Sequence, residues 1–382
     1  MYDRILLFPY TLFLTLRHKM YDKGFLKKSV PAEVPTVCVG NITVGGTGKT
    51  PHTELLLDIL RTSGPWGGKN VAVLSRGYKR SSKGFQQVVP DGTADFYGDE
   101  PLQIKKKYTE TTVAVDKDRL RGCDILCHPE KLETLKAGRK CINKQFPAAD
   151  LIILDDAYQY RKLRATLNLV LIDYSRPTFN DKLLPLGHLR DLPSRMQRAD
   201  AIVISKCPTY MDDWEKQNWA RSLDIKDYNM DTCEGLTKKG KPVRLFFTCL
   251  SYCEPVQVFD SCDPRYAYAK RTILFTGIAK DTPLRQYLSD TYKIVDHYSF
   301  PDHHRFTSAD IRMLAAAIKK WPTAAMVTTE KDAQRMLDCK EVPQCIKEKL
   351  FQVPIKVGFQ SESDQRAFTD FILGTLDERA HM

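Results

Sequence analysis

The sequence predicts an α/β protein with a mostly parallel sheet, helices on both faces and a second, smaller α/β unit. A glycine-rich stretch at 45–50 follows an apolar strand at 36–39 and precedes an amphipathic helical segment. A second apolar run, 150–156, ends in two carboxylates. Further β-rich runs alternate with helical segments in both halves of the chain, which is typical of parallel sheets.

The length of the chain indicates more than one unit, because 382 residues exceed the roughly 100–200 of a usual domain. We expect an N-terminal helix at 1–30 and a nucleotide-binding α/β domain at 31–207. A polar connector at 208–265 would lead to the smaller α/β domain at 266–382.

The composition is that of a folded, basic protein. Hydrophobic residues make up 42% and charged residues 27%, which excludes a disordered chain. The net charge of +11 favours anionic partners such as nucleic acid, lipid head groups or phosphorylated substrates. None of the 11 cysteines forms a C-x2-C pair, so zinc is not expected. The scattered cysteines favour a reduced, cytoplasmic environment.

The N-terminal segment 5–16 is the most apolar part of the chain, and a basic stretch follows it. It is shorter than the ~20 residues that span a bilayer, and no signal-cleavage site follows it. Polar residues recur at helical spacing and leave one apolar side, which comprises Ile5, Phe8, Leu12, Phe13 and Leu16. The pattern is that of a helix lying in a membrane surface, and a helix packed on the protein body is the alternative.

The glycine-rich stretch predicts a phosphate-binding loop of the P-loop NTPase type. Glycines let backbone N–H groups converge on phosphate oxygens at a helix N-terminus, Lys49 reaches the β- and γ-phosphates, and Thr50 offers a hydroxyl to Mg²⁺. A nucleoside triphosphate and Mg²⁺ are therefore the expected ligands of the loop, and the family resemblance described below makes the nucleotide ATP. The first glycine of the standard motif is replaced by Thr43. The expected nucleotide-binding residues are Thr43, Val44, Gly45, Gly46, Thr47, Gly48, Lys49 and Thr50.

Several polar residues fall where a nucleotide site could use them. Asp155 and Asp156 end a strand whose carboxyl end opens on the same sheet edge as the phosphate loop, so they are candidates for holding the metal. Asp99 and Glu100 occupy a turn-like segment, and Arg76 follows a strand. Titratable groups also cluster at 300–306, where a general base or a helix cap is expected.

These motifs, in this order, resemble the lipid A 4′-kinase (tetraacyldisaccharide 4′-kinase) family of Gram-negative bacteria, a P-loop kinase family. The similar segments are 40–51, 75–78, 98–101, 155–159, 187–191, 275–279, 302–306 and 328–332. The phosphate loop of that family also lacks the first standard glycine. The chain departs from the family at Ala157, Tyr158 and Tyr160, and it has Asp191 where the family commonly has glutamate.

The resemblance implies transfer of the ATP γ-phosphate to the 4′-hydroxyl of a tetraacylated glucosamine disaccharide 1-phosphate, a late step of lipid A synthesis. It places the protein at the cytoplasmic face of the inner membrane, as a peripheral or monotopic protein bound to that surface. No nucleic acid and no obligate protein partner are expected. The alternatives are a P-loop ATPase or GTPase coupled to a membrane partner, although no Asn-Lys-x-Asp motif is present, and a basic nucleic-acid-binding module.

The resemblance also implies residue roles, with the site in a cleft between the two domains. Asp99 and His303 would cooperate so that one of them accepts the proton of the sugar hydroxyl, and Lys49 would serve the phosphates. The expected metal ligands are Thr50, Glu100, Asp155 and Asp156. The expected substrate-binding residues are Arg76, Gln159, Arg190 and Asp191.

Overall fold

A computed structural model describes residues 2–26, 28–62, 64–134, 141–302 and 304–380. The strands of these residues, β1 to β18 in chain order, are Val30–Pro31, Thr36–Gly40, Val71–Ser75, Gln86–Gln87, Thr112–Val115, Leu151–Asp155, Leu163–Arg164, Leu167–Asp173, Ala201–Ser205, Lys226–Asn229, Glu234–Leu236, Pro242–Tyr252, Val256–Gln257, Arg271–Thr276, Lys293–Ser299, Ala325–Thr329, Leu350–Val353 and Ile355–Phe359. The α-helices, α1 to α12, are Tyr2–Asp22, Lys49–Thr62, Ala94–Tyr97, Asp99–Lys107, Arg119–Cys127, Lys131–Thr134, Asp213–Ser222, Thr282–Thr291, Ser308–Lys320, Glu330–Leu337, Gln344–Lys347 and Glu362–Ala380.

The larger sheet has the strand order β10-β11-β12-β9-β8-β2-β6-β3-β5-β4, and β18 pairs with the distal half of β12. The strands from β12 to β5 are all parallel, with antiparallel strands at both edges. The central strands β2, β6 and β3 are buried throughout because helices cover both faces, which explains their continuous apolar sequences. The predicted α/β class is confirmed.

A second sheet follows the order β13-β17-β16-β14-β15 and is parallel except for β13. Its two faces have separate cores. Ile273 and Phe275 pack with α9 residues such as Leu314 on one side, whereas Leu274 packs with Leu284 and Leu288 of α8 on the other. This sheet with its helices is the smaller unit, and we call it the second unit; the larger sheet with the helices that pack on it is the first unit.

The boundaries of the units differ from those expected from the sequence. Much of the expected connector, 208–265, continues the larger sheet as β10, β11 and β12. The chain also returns to that sheet before it ends, because α12 buries Phe368 against Phe246 of β12, with ring centroids 5.0 Å apart. The range 266–382 therefore contributes β18 and α12 to the first unit, where their apolar side chains pack.

Helix α1 packs on the first unit along one side and is exposed along the other. Leu14 is 3% exposed and lies in a core with Met196 and Trp219. The exposed apolar side chains of α1 are Leu6, Phe8, Leu12, Phe13, Leu16 and Met20; the side chain of Ile5 is not among those described. Among the described helices, none has the length and apolar character needed to cross a bilayer.

Ion pairs join the two units where α4 of the first unit meets α10 of the second. Lys331 Nζ lies 2.6 Å from a carboxylate oxygen of Glu100, and Arg335 Nη2 lies 2.6 Å from Asp99 Oδ2. A further carboxylate, Asp338, accepts a hydrogen bond from the backbone N–H of Ala94 at 2.6 Å. These contacts fix the second unit beside the sheet edge that carries the phosphate loop.

We predict that Glu330→Gln stabilises the protein more at pH 8 than at pH 5. Burial and the nearby Glu54 carboxylate raise the pKa of Glu330 to about 7, from an ordinary value of 4.5. The folded state therefore favours the protonated acid and loses stability as pH rises through this window, by on the order of 1–3 kcal/mol. Thermal unfolding at both pH values measures the effect. The exposed Glu341→Gln is the control, and an equal rise at both pH values would contradict the prediction.

Candidate functional site

The phosphate loop, 41–48, connects the buried strand β2 to the N-terminus of α2. Gly45 has φ +99° and Gly48 has φ +81°, so both occupy the left-handed region that favours glycine. Gly45 and Gly46 are exposed, whereas Thr47 is buried and its hydroxyl accepts a hydrogen bond from Asn41 Nδ2 at 2.9 Å. The loop thus presents its backbone to solvent at the positive end of a 14-residue helix, the arrangement that binds phosphate.

Neighbouring segments brace this loop. The Val44 N–H donates to the His188 carbonyl at 2.8 Å, and the Ser205 hydroxyl donates to the Thr47 carbonyl at 2.8 Å. Lys206 Nζ donates to the Gly46 carbonyl. Thr43, which replaces the first standard glycine, is 6% exposed and forms an antiparallel bridge with residue 189. Its replacement of glycine is accommodated because the chain is extended and paired at that position.

A buried histidine on α2, which the sequence analysis did not single out, supports the start of the helix. His52 is 2% exposed, and burial lowers its pKa to about 4. The neutral ring donates through Nδ1 to the Gly48 carbonyl at 2.8 Å, and its Nε2 lies 3.0 Å from Thr248 Oγ1. This side chain links the loop to strand β12 across the sheet.

Asp155, the last residue of β6, has a hydrogen-bond partner at one carboxylate oxygen, and its other oxygen accepts none from the described residues. Its Oδ2 accepts a hydrogen bond from the Ser75 hydroxyl at 2.9 Å, whereas Oδ1 is buried and accepts none from the described residues. Burial and the carboxylates of Glu100 and Asp156 raise the pKa of Asp155 to about 6. A cation beside Oδ1 would satisfy that oxygen and favour the ionised form.

The residues at this point fit a magnesium ion. Thr50, Asp155 and Glu100 supply the hard oxygen ligands that Mg²⁺ prefers. Within the described part of the chain, no three His, Cys, Asp or Glu residues are grouped so that they could hold a metal by themselves. Mg²⁺ at nucleotide sites is usually bound by one or two carboxylates together with nucleotide phosphates.

Asp156 lies next to two cations. Lys49 Nζ lies 3.8 Å from its Oδ1, and Arg190 donates through Nη1 to its Oδ2 at 3.1 Å. Although burial opposes ionisation, Lys49 and Arg190 hold the pKa of Asp156 below its ordinary value. Arg190 Nη2 also donates to Asn41 Oδ1 at the base of the loop. The two carboxylates at the end of β6 therefore have different surroundings.

Asp99 and Glu100 open helix α4, and each is held by a cation of the second unit. Arg335 donates through Nε and Nη2 to Asp99 Oδ2 at 3.0 and 2.6 Å, and its Nη1 donates to Asp332 Oδ1 at 2.7 Å. Lys331, together with Lys49, lowers the pKa of Glu100 against the effect of burial. Asp99 is thereby oriented by a guanidinium that is itself fixed.

His303 lies outside the described residues, so its pairing with Asp99 stays a prediction. The adjacent His304 stacks on Phe300 with ring centroids 4.7 Å apart, and its Nε2 lies 2.9 Å from Asp310 Oδ2. Asp310 forms the capping box of α9 with Thr307. The cap of α9 is thus formed by residues that follow the segment 300–306, and His304 contacts it through Asp310.

The expected substrate-binding residues are placed differently from one another. Arg76 is exposed directly after β3. Gln159 instead donates through Nε2 to the Asn41 carbonyl and braces the phosphate loop. Asp191 is 3% exposed and lies 2.6 Å from His18 Nε2 of α1, so its carboxylate is already engaged inside the protein. The structure therefore gives Gln159 and Asp191 internal contacts where substrate contacts were expected.

A cleft of about 970 Å³ opens between the units beside Asp99 and Arg335. Its other cationic lining residues are Lys79, Arg305, Arg312 and Lys340. A cleft between the domains was expected, and this one adjoins the Asp99 carboxylate. The carboxylates of Asp95, Asp338 and Glu341 also line it, and Arg305 is paired with Asp95.

The sequence motifs did not indicate Arg335 and assigned no role to Lys331. Lys331 lies in the segment 328–332, and Arg335 follows one helical turn later. The i, i+4 spacing on α10 puts both cations on one face, which a helical projection of this segment would have shown.

The fold and the site together define a P-loop kinase: a phosphate loop on a parallel sheet, a carboxylate with an unsatisfied oxygen at the neighbouring strand end, and a cleft that leads to a fixed acidic group. Residues 4–376 match the family model described as Tetraacyldisaccharide-1-P 4'-kinase. The chain belongs to this family of ATP-dependent kinases, which acts in lipid A biosynthesis.

Curated relatives and a solved structure agree with this assignment. The Tetraacyldisaccharide 4'-kinase of Phocaeicola vulgatus is 33% identical over 94% of this chain and 91% of its own length. That of Bacteroides fragilis is 35% identical over 96% of this chain and 90% of its own length. The crystal structure of LpxK from Aquifex aeolicus in complex with ATP matches with a TM-score of 0.66 and 26% identity, covering 98% of this chain and 99% of that one. The predicted resemblance is confirmed.

We predict that Arg335→Lys lowers kcat by about 10- to 100-fold and leaves ATP affinity within about twofold. Lysine keeps the charge but cannot donate to Asp99, Asp332 and the Gly277 carbonyl at once, so Asp99 loses its orientation. Steady-state phosphate transfer and equilibrium ATP binding measure the two quantities. Arg285→Lys, in a surface pair with Asp281, is the control; an equal loss in the control, or weakened ATP binding with normal kcat, would contradict the assignment.

Proposed function

We propose that the chain transfers the γ-phosphate of ATP to the 4′-hydroxyl of a tetraacylated glucosamine disaccharide 1-phosphate in the cleft between its two units. One observation carries the proposal: Asp99 lines this cleft, and the adjacent Glu100 lies near Lys49 at the end of the phosphate loop. Glu100, the neighbour of Asp99, is close enough to Lys49 for that ammonium to lower its pKa. A hydroxyl beside Asp99 would therefore lie near phosphate held by the loop.

The phosphate loop would bind the triphosphate through its backbone N–H groups and Lys49. The 3.8 Å separation of Lys49 and Asp156 is long for an ion pair, so the ammonium can turn to phosphate oxygens at little cost. Arg176 adds a second cation, because its guanidinium packs against the exposed backbone of Gly45. Such groups hold the transferring phosphoryl group in place and offset its charge.

Thr50, Asp155 and Glu100 would hold Mg²⁺ through their oxygens, and Asp156 would keep Lys49 and Arg190 in position beside it. When bound, the ion neutralises charge on the β- and γ-phosphates. The unsatisfied Asp155 Oδ1 supports this assignment, because a buried carboxylate oxygen without a partner destabilises the protein unless a cation joins it.

The proton of the acceptor hydroxyl would pass to the pair formed by Asp99 and His303. The hydroxyl oxygen bonds to the γ-phosphorus as the bond from that phosphorus to the bridging oxygen breaks, and ADP leaves. Arg335 keeps Asp99 in one orientation during this step. Arg76, exposed at the end of β3, is a candidate for the anionic groups of the acceptor.

We further propose that α1 lies on the cytoplasmic leaflet of the inner membrane, where the acylated acceptor is found. Its side chains Leu6, Phe8 and Phe13 are about 60% exposed, an unusual share for large apolar residues on one side of a helix. Basic residues follow the helix, and they favour anionic head groups. The other side of the helix packs on the first unit, so the protein would lie on the membrane without crossing it.

The reaction is tested with labelled ATP, Mg²⁺ and a detergent-dispersed disaccharide 1-phosphate. Labelled lipid is the expected product, and Lys49→Ala should form none. In Asp99→Asn we expect transfer to fall by about 100-fold or more while ATP stays bound, because the base is lost and the phosphate loop is intact. ATP hydrolysis that does not depend on the acceptor, without labelled lipid, would favour the ATPase alternative.

Membrane contact is tested by replacing Phe8 and Phe13 with aspartate. We expect binding to vesicles that contain anionic lipid to fall by about 10-fold or more, because two charges replace buried apolar contacts. Sedimentation with the vesicles measures the bound fraction. Tyr268→Asp, at an 88% exposed aromatic residue of the second unit, is the control. Unchanged binding by the double variant would refute contact through this face.

A further inference from the structure

We propose that His18 and Asp191 are positioning residues that join helix α1 to the phosphate loop, so that the seating of α1 sets the affinity of the loop for ATP. The proposal deepens the proposed function and rests on it, since it gives the helix that faces the lipid a direct influence on the nucleotide site. Three sets of contacts carry it.

The first set is the pair itself. His18 and Asp191 are 4% and 3% exposed, and His18 Nε2 lies 2.6 Å from Asp191 Oδ1. Arg161 Nη1 donates to His18 Nδ1 at 3.1 Å, so Nδ1 is the acceptor and Nε2 carries the proton given to Asp191. A short hydrogen bond to a buried carboxylate is strong, and without His18 the Asp191 Oδ1 atom keeps the backbone N–H of Leu192 as a donor but loses its side-chain partner.

The second set runs from Asp191 to the loop through the adjacent residue. The backbone N–H of Arg190 donates to the Ile42 carbonyl at 2.9 Å, and its guanidinium donates to Asn41 Oδ1 and to Asp156. Asn41 in turn holds the loop hydroxyl of Thr47. The anchor of α1 is therefore one residue away from the side chain that braces the base of the phosphate loop.

The third set reaches the same point by another path. Arg17, also on α1, donates through Nη2 to the Gln159 carbonyl at 3.4 Å, and Gln159 Nε2 donates to the Asn41 carbonyl. Tyr10 donates its hydroxyl to the Arg190 carbonyl at 3.2 Å. Tyr10, Arg17 and His18 are therefore each linked to Asn41 indirectly, through the segment 190–191 or through Gln159.

The opposite side of α1 is apolar and exposed, so the helix is the element of this network that a lipid surface can displace or hold. A shift of α1 would weaken the hydrogen bonds that His18 makes to Asp191 and Arg17 makes to Gln159, and it would change the position of Asn41. Coupling of this kind is reciprocal, and couplings in proteins are typically about 5- to 150-fold in affinity. A purely structural anchor would lower thermal stability and leave ATP affinity unchanged.

The test measures ATP affinity by calorimetry, without acceptor lipid, in the full chain. We expect His18→Ala and Asp191→Ala each to weaken ATP binding by about 5- to 20-fold, and the double variant to bind no more weakly than the weaker single one. Asp191→Glu should restore affinity to within about threefold, since it keeps the carboxylate. His128→Ala is the matched control, because His128 pairs with Glu33 at the same 2.6 Å on a remote surface.

Tyr10→Phe provides a milder variant that removes one hydroxyl and leaves the packed ring; we expect about two- to threefold weaker ATP binding. The proposal is overturned if His18→Ala and Tyr10→Phe bind ATP as the unchanged protein does, whatever their melting temperatures. It is also overturned if the effects of His18→Ala and Asp191→Ala are additive. Failure of the proposed function would look different, since the unchanged protein would bind ATP and form no labelled lipid.

Discussion

The site depends on the balance of charge at the carboxyl edge of the larger sheet. Asp155, Asp156 and Glu100 lie close enough together to influence each other's ionisation. Carboxylates so crowded and buried destabilise a fold unless cations accompany them. The first unit supplies Lys49 and Arg190, but Glu100 and Asp99 are paired by Lys331 and Arg335 from the second. Two units are therefore needed to build one acidic centre.

This arrangement also explains why the carboxylates have different roles. Asp156 has two cations and stays ionised, which suits a residue that positions Lys49 and Arg190. Asp155 has a hydroxyl partner and a raised pKa, which suits a residue completed by a metal ion. Asp99 accepts two hydrogen bonds at Oδ2 from the fixed guanidinium of Arg335, which suits a group that must accept a proton in one orientation. Neighbouring acids of one type thus acquire different chemistry from their surroundings.

The fold could be predicted where local sequence and burial agree. Strand β2, the loop and α2 follow from an apolar run, glycines and a helical pattern, and each is covered on the expected side. The unit boundaries could not be predicted. The polar stretch after residue 207 contains an edge strand and leads into β12. The helix α12 belongs to the first unit because Phe368 packs there. Edge strands and returning helices are defined by what they pair with, and that partner is distant in sequence.

For the site, the sequence by itself determined the chemical inventory: a phosphate loop with Lys49, carboxylates at strand ends, and a family pattern that includes Thr43 in place of glycine. Only the tertiary structure decided the partners of those groups. It placed Arg335 on Asp99, turned Gln159 towards Asn41 and buried Asp191 against His18 of the N-terminal helix. The physical reason is that a motif specifies which atoms can donate and accept, whereas burial and the meeting of distant segments specify which of them are left free.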